Sequence, residues 1–163
     1  SKIKKSPITI KMIISNNPKA KGLQYSKIYK IKKKVFDFKN FLSEKKVINE
    51  LKKNDIDLIC LAGFMKILSI RFIKNFRGKI LNIHPSLLPK YKGLNTHEKA
   101  IKNKDKYSGC TVHFVNSKLD SGKIINQKKV KIKKFDTPKS LAKRILIQEH
   151  KLYPEAIKKI LSL

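Results

Sequence analysis

The sequence predicts an α/β protein with an open, mostly parallel, twisted sheet and helices on both faces. Three observations carry this expectation. Apolar, β-branched runs alternate with segments whose apolar residues recur every three or four positions, the pattern of strands joined by covering helices. At 163 residues and 40 % hydrophobic composition, the chain is large enough to bury one proper core. Finally, an amide and an imidazole, Asn82 and His84, stand at the carboxyl end of a predicted strand, where such sheets bind ligands.

The elements follow in order. Ile8-Thr9-Ile10-Lys11-Met12-Ile13-Ile14 reads as a strand, broken by Ser15-Asn16-Asn17-Pro18. A short helix is expected over residues 19–25 and a second short strand over 27–31. Over 37–54, Phe38, Phe41, Leu42, Val47, Ile48 and Leu51 share one helical face. Asp55-Ile56-Asp57 leads into Leu58-Ile59-Cys60-Leu61-Ala62, an apolar run of buried-strand type. Residues 70–76 read as a short helix ended by Gly78. The strand 79–83 then delivers Asn82 and His84 to its carboxyl end. Thr96 is the expected cap of a helix over 97–104. Two more strands, 111–115 and 123–133, are joined around Asp120. Asp136 or Thr137 opens a long helix with Pro138 in its first turn. Leu141, Ile145, Ile147, Leu152, Ile157, Ile160 and Leu161 are its expected inner side, and Pro154 is expected to interrupt or kink it.

The formal net charge is +29, which invites a nucleic-acid reading. The distribution argues against it. Only Arg71, Arg77 and Arg144 are arginines, the residue type on which bidentate nucleic-acid contacts depend, and the lysines are spread over every segment. Solvated lysines are the reading, with a residual attraction for anionic small molecules at low salt. No apolar run approaches the roughly 20 residues needed to span a bilayer. The basic start, Ser1-Lys2-Ile3-Lys4-Lys5, is followed by no long apolar segment, so no signal peptide is visible. Cys60 and Cys110 each lie inside an apolar strand, as free buried thiols of a reducing cytoplasm. No repeat or linker is visible, and a single domain over 1–163 is expected.

Asn82 and His84 are separated by one residue, so on an extended backbone they point the same way. An amide N–H and an imidazole converging on one point can stabilise charge developing on the oxygen of an attacked carbonyl. The carboxylate in Leu119-Asp120-Ser121-Gly122 can fix the tautomer of His84, raise its basicity, or hold a proton-carrying water. Taken alone, Asn82 and His84 also fit a turn cap and a hydrogen-bonded loop residue. The sequel Pro85-Ser86-Leu87-Leu88-Pro89 favours chemistry, because two prolines immobilise a loop and a pre-organised site needs one. Sequence leaves the isomers at Pro85 and Pro89 open. His113, in an alternating strand, reads as a satisfied core or interface histidine, and His97, at a helix start, as a possible substrate contact. No Cys/His spacing resembles a zinc framework, so no metal is expected; there is no serine nucleophile elbow and no phosphate-binding P-loop.

At these residues the chain resembles the phosphoribosylglycinamide formyltransferase family. The matching stretches are Leu61-Ala62-Gly63-Phe64-Met65-Lys66-Ile67-Leu68, then Leu81-Asn82-Ile83-His84-Pro85-Ser86-Leu87-Leu88-Pro89-Lys90-Tyr91-Lys92-Gly93-Leu94, then Gly109-Cys110-Thr111-Val112-His113-Phe114-Val115. Leu119-Asp120-Ser121-Gly122, Ile124-Ile125-Asn126-Gln127, Gln148-Glu149-His150 and Tyr153-Pro154 complete them in family order. The resemblance covers the chain from about residue 8 to its end. The Ser-Leu-Leu-Pro loop is shared with methionyl-tRNA formyltransferase and formyltetrahydrofolate deformylase. The Thr96-His97 pair, the Gly-Cys-Thr-Val-His-Phe-Val strand and the Gln-Glu-His helix favour the glycinamide enzymes.

The resemblance implies a formyltransferase, Rossmann-like fold. It implies transfer of a formyl group from the co-substrate 10-formyltetrahydrofolate to the amine of glycinamide ribonucleotide, in de novo purine synthesis in the cytoplasm. The related deformylase or another folate-dependent formyltransferase is the alternative. Asn82 and His84 would stabilise the tetrahedral oxyanion, and Asp120 would order His84 and a water. Met65, Lys66, Ile67 and Leu68, with Leu119 in the loop before Asp120, would line the pteridine pocket. Pro85 and Glu149 would hold the glycinamide substrate. The partners implied are these small molecules, with no specific nucleic acid or membrane, in a monomer or weak homodimer. Two departures stand out. The family opens with a strand and a Gly-x-Gly-Ser-Asn loop that grips the substrate phosphate, whereas this chain starts at what resembles the second strand, so an N-terminally truncated domain is expected. Lys66 stands where many relatives carry arginine.

Overall fold

The computed structural model describes residues 8–163. The basic start at residues 1–5 lies outside them. The chain divides into two units, one ending at Ile56 and one spanning Asp57–Leu163.

Parallel pairing organises the first unit. β1 (Met12–Ser15) pairs in parallel with β2 (Lys32–Val35). Between them a 3-10 turn, Lys21–Gln24, runs into α1 (Tyr25–Ile28). The strand expected over 27–31 is therefore displaced. Local bonds win over β propensity there: Ser26 Oγ donates to the Leu23 carbonyl at 2.7 Å, and the N–H of Ile31 donates to the Ser26 carbonyl at 2.9 Å. α2 (Phe41–Lys53) starts at 41 rather than 37, because Asn40 and Ser43 form a reciprocal capping box at 3.0 and 3.3 Å. Its buried face is Glu44, Val47, Ile48 and Leu51; Phe41 and Leu42, expected on that face, are exposed.

The second unit is built on a four-stranded sheet in the order β3 (Leu58–Leu61), β4 (Lys79–His84), β5 (Tyr107–Phe114), β6 (Ile124–Lys131). β3 and β4 are parallel, joined through α3 (Ile70–Asn75), whose N–H at Phe72 is capped by Ser69 Oγ at 3.0 Å. β4–β5 and β5–β6 are antiparallel, so this half of the α/β fold is mixed. For β5 and β6 the reason is local: no helix lies between them, and a short connection allows only antiparallel return. α4 (Thr96–Lys102) takes Thr96 as its first residue; the cap position is Asn95, at φ 60°. Cys110 is fully buried, but Cys60, expected to be buried, is exposed.

α5 (Pro138–Ile160) begins at a Thr137/Ser140 capping box with Pro138 in its first turn. Pro154 lies inside the helix, which continues to Ile160. Leu141, Ile145, Leu152 and Ala156 on α5 pack with Ile83, Cys110, Val112 and Val130 of the sheet. Each such Leu or Ile contributes about 1.5–3 kcal/mol by leaving water. Ile147 and Leu161, expected on this side, are exposed.

This core sets the site by alternation. Ile83 pairs with Val112, and both face α5. The intervening residues project to the other face, where Asn82 pairs with His113 and His84 with Thr111. One face of two adjacent strands is core, and the other is polar and convergent.

Candidate active site

His113 is the pivot of the convergence. Its side chain is buried, and Nδ1 lies 2.8 Å from the Phe114 carbonyl oxygen, which can only accept. Nδ1 therefore carries the proton, and Nε2 of the neutral ring is an acceptor. Nε2 receives Nδ2 of Asn82 at 3.3 Å. Burial, with the nearby His84, pushes the His113 pKa down despite the opposing pull of the Phe114 carbonyl and Asp120, which favours this neutral tautomer. The bond also orients Asn82: its NH2 group faces His113 and keeps a second N–H to offer.

Asp120 reaches the same point from the β5–β6 connection. The chain can return so closely only because residue 122 is glycine, where a Cβ would lie 1.6 Å from the Phe114 carbonyl oxygen. Asp120 itself takes φ 44°. Its Oδ2 accepts the N–H of Gly93, a residue at φ 74°, at 2.8 Å and lies 3.4 Å from His84 Nδ1. Its Oδ1 lies 3.6 Å from His113 Nε2. The carboxylate thus lies within 3.6 Å of both imidazoles, with all three side chains at most 8 % exposed.

His84 is held from both sides. Nε2 donates to the Tyr91 carbonyl at 2.8 Å, while Nδ1 faces Asp120. A carbonyl can only accept, so Nε2 carries a proton, and the ring is fixed in one orientation between the two oxygens.

The loop that follows is pinned to the sheet by side chains the sequence reading gave no role. Thr111 Oγ1 donates to the Ser86 carbonyl at 2.7 Å and accepts the N–H of Leu88 at 3.1 Å. Gln127 Nε2 donates to Thr111 Oγ1 and to the Leu88 carbonyl, both at 2.8 Å. Leu88–Pro89 is cis. Every hydrogen-bonding position of the Thr111 hydroxyl is used.

A cleft opens beside these groups, lined by Leu61, Phe64, Lys66, Ile67, Leu68, Ile73, Asn82, His113, Val115, Asn116, Ser117, Lys118, Leu119 and Asp120. Six of the residues expected at a site therefore meet there: Asn82, Asp120, Lys66, Ile67, Leu68 and Leu119. Met65, His84, Pro85 and Glu149 do not line it; Met65 is exposed, Pro85 half-buried, and His84 lies behind Asp120. Glu149 is half-buried on α5 with no hydrogen-bond partner among the described residues. Burial pushes its carboxyl up, against the pull of His150, and its charge helps burial raise the Cys110 thiol to about 12. His97, the possible substrate contact, has a buried Nδ1 without a hydrogen-bond partner, and its pKa is lowered by burial and by His84. His113 is the satisfied, buried histidine its strand predicts, and it also bonds Asn82 at the cleft, which the sequence alone does not tell. Its alternation with Thr111 puts both on one face.

The formyl transferase family model matches residues 1–157. A phosphoribosylglycinamide formyltransferase of Haemophilus influenzae is 46 % identical over 156 residues, covering 93 % of this chain and 74 % of the relative. The human trifunctional purine biosynthetic protein adenosine-3 is 41 % identical over 161 residues, covering 96 % of this chain but only 16 % of the much longer relative. The crystal structure of phosphoribosylglycinamide formyltransferase from Bacillus halodurans superposes with a TM-score of 0.91 at 35 % identity, covering 99 % of this chain and 85 % of that one. The corresponding structure from Anaplasma phagocytophilum gives 0.89 at 44 % identity, covering 96 % and 76 %. With its fold, its polar strand face and these likenesses in agreement, the chain belongs to the formyl transferase family.

Proposed function

We propose that the protein transfers a formyl group from 10-formyltetrahydrofolate to the primary amine of glycinamide ribonucleotide; its relatives are named for formyl transfer to phosphoribosylglycinamide. One observation carries this reading: Asp120 lies between His84 and His113 while His113 orients the amide of Asn82 at the cleft. That arrangement suits acyl transfer without an acyl-enzyme, which needs an oxyanion site and a proton path but no nucleophilic side chain.

The amine attacks the formyl carbon, a C–N bond forms, and the carbonyl electrons move onto oxygen. The free N–H of Asn82 stabilises that oxyanion, while His84, engaged by the Tyr91 carbonyl and Asp120, fixes the carboxylate beside it. Asp120 takes up the attacking amine's proton through a water, and the same proton reaches the departing folate nitrogen as the original C–N bond breaks. Ile67, Leu68 and Leu119 supply apolar walls for the pteridine ring, with Lys66 and the exposed Met65 at the rim. Glu149, on α5 outside the cleft lining, is the proposed acceptor for N–H groups of the glycinamide substrate, and Pro85 stiffens the loop that follows His84.

The test is formyl transfer by the full-length protein given both substrates. Asn82→Ala is expected to lower kcat by about 10²–10³-fold, as for loss of a single oxyanion donor, and His84→Ala to lower kcat by releasing Asp120. Absence of turnover in the unaltered protein, or release of formate without an amine acceptor, overturns the reading.

A further inference from the structure

We propose that Asp105 is a positioning residue for His84, acting through Tyr91. The inference rests on the formyl-transfer reading above for its kinetic consequence, but its geometry stands alone.

His84 donates from Nε2 to a backbone carbonyl, that of Tyr91, at 2.8 Å. The position of that carbonyl depends on the backbone at 91, where φ is 55° in a residue with a bulky side chain. L-residues leave this left-handed region unless something holds them there. Here the ring of Tyr91 is the hold. Its hydroxyl donates to Asp105 Oδ2 at 2.8 Å and accepts from Asn103 Nδ2 at 2.9 Å. Asp105 Oδ1 accepts Lys90 Nζ, next to Tyr91 in the chain, at 3.0 Å. The N–H of Asp105 is in turn fixed to the Ala100 carbonyl of α4 at 3.0 Å.

A rigid path therefore runs from the end of α4 through a carboxylate and a phenol to the nitrogen of His84 that Asp120 does not face. Burial alone would push the Asp105 carboxyl up, but the Tyr91 hydroxyl and Lys90 together hold it below the usual carboxylate range. It is thus an ionised, strong acceptor throughout the neutral range. Lys90 is largely exposed, so the Tyr91 bond is the arm that resists water. Asp105 does not line the cleft.

The experiment uses full-length protein carrying 15N-histidine, with the His84 resonance assigned by its loss in His84→Gln. In the unaltered protein the Nε2–H of His84 is expected to be protected from exchange. Asp105→Ala and Tyr91→Phe are expected to lose that protection and to lower kcat about 10-fold, with KM for both substrates within about 2-fold, the signature of a misplaced group. Asp105→Asn, which keeps an oxygen acceptor for the Tyr91 hydroxyl, is expected to recover most of both. Tyr91→Phe removes one oxygen only and carries the test if Asp105→Ala fails to fold. An unmoved His84 signal in folded Tyr91→Phe, or an Asp105→Asn protein as impaired as Asp105→Ala with that signal intact, overturns the proposal. A protein inactive before any substitution overturns the formyl-transfer reading, while the His84 signal still judges the positioning role.

Discussion

The bond from His113 Nδ1 to the Phe114 carbonyl, 2.8 Å long, decides which way the amide of Asn82 faces. A backbone carbonyl cannot donate, so the tautomer is set, Nε2 is left as an acceptor, and the Asn82 NH2 group turns towards it. A main-chain atom on β5 thereby orients a side chain on β4 that lines the cleft.

Burial of His113 and His97 gives stability a pH dependence. The pKa values of His113 and His97 are both lowered from 6.5, mainly by burial. Between the lowered folded values and 6.5 the unfolded chain binds more protons, so stability rises with pH. The contribution is complete above about 6.5 and is lost as pH falls through the folded values, at up to about 1.4 kcal/mol per pH unit for each histidine. Urea midpoints are expected to fall between pH 7 and pH 5, and less steeply in His113→Asn. Equal slopes in the two proteins would contradict the assignment to His113.

Thr111 offers a second test. Replacing its hydroxyl with a methyl in Thr111→Val keeps the shape but strips partners from the Ser86 carbonyl and the Leu88 N–H. A buried group left unpaired costs about 1–3 kcal/mol, so a loss of about 2 kcal/mol in urea unfolding is expected. Because the freed loop follows His84 directly, kcat is expected to fall with it. An unchanged unfolding midpoint would show that water replaces the hydroxyl without cost.

Much of this was legible in the chain. The i, i+2 spacing of Asn82 and His84 set them on one face, and the apolar residue between them, Ile83, announced which face is core. Other features depend on partners far away in sequence. Nothing local tells that His113 pairs with Asn82, since that is fixed by the antiparallel register. The strand expected over 27–31 failed because two short hydrogen bonds at Ser26 outweigh the propensity of a few residues. Phe41 and Leu42 satisfied the helical spacing yet are exposed, since the capping box at Asn40 and Ser43 starts the helix with them in its first turn. Cys60 shows the limit of composition, because an apolar run does not reveal which of its members faces solvent.

Glu149 separates binding from stability. Its carboxylate is half-buried, lacks a hydrogen-bond partner among the described residues, and has its pKa raised by burial against the pull of His150. A carboxyl raised in the folded state adds stability below its unfolded value and loses that contribution as pH rises through the folded value. At neutral pH the ionised group is therefore a cost to the fold, and Glu149→Gln, which removes the charge, is expected to melt higher than the unaltered protein at pH 7 and to lose that advantage near pH 4. In the proposed reaction the same change removes a charged acceptor from the amine substrate. Hydrogen bonds to charged groups are worth about 1.5–3 kcal/mol, so KM for glycinamide ribonucleotide is expected to rise about 10- to 100-fold while KM for the folate stays put. A higher melting temperature with an unchanged KM would mean that the strain at Glu149 serves something other than this substrate; a raised KM with no gain in stability would mean that burial does not penalise the charge.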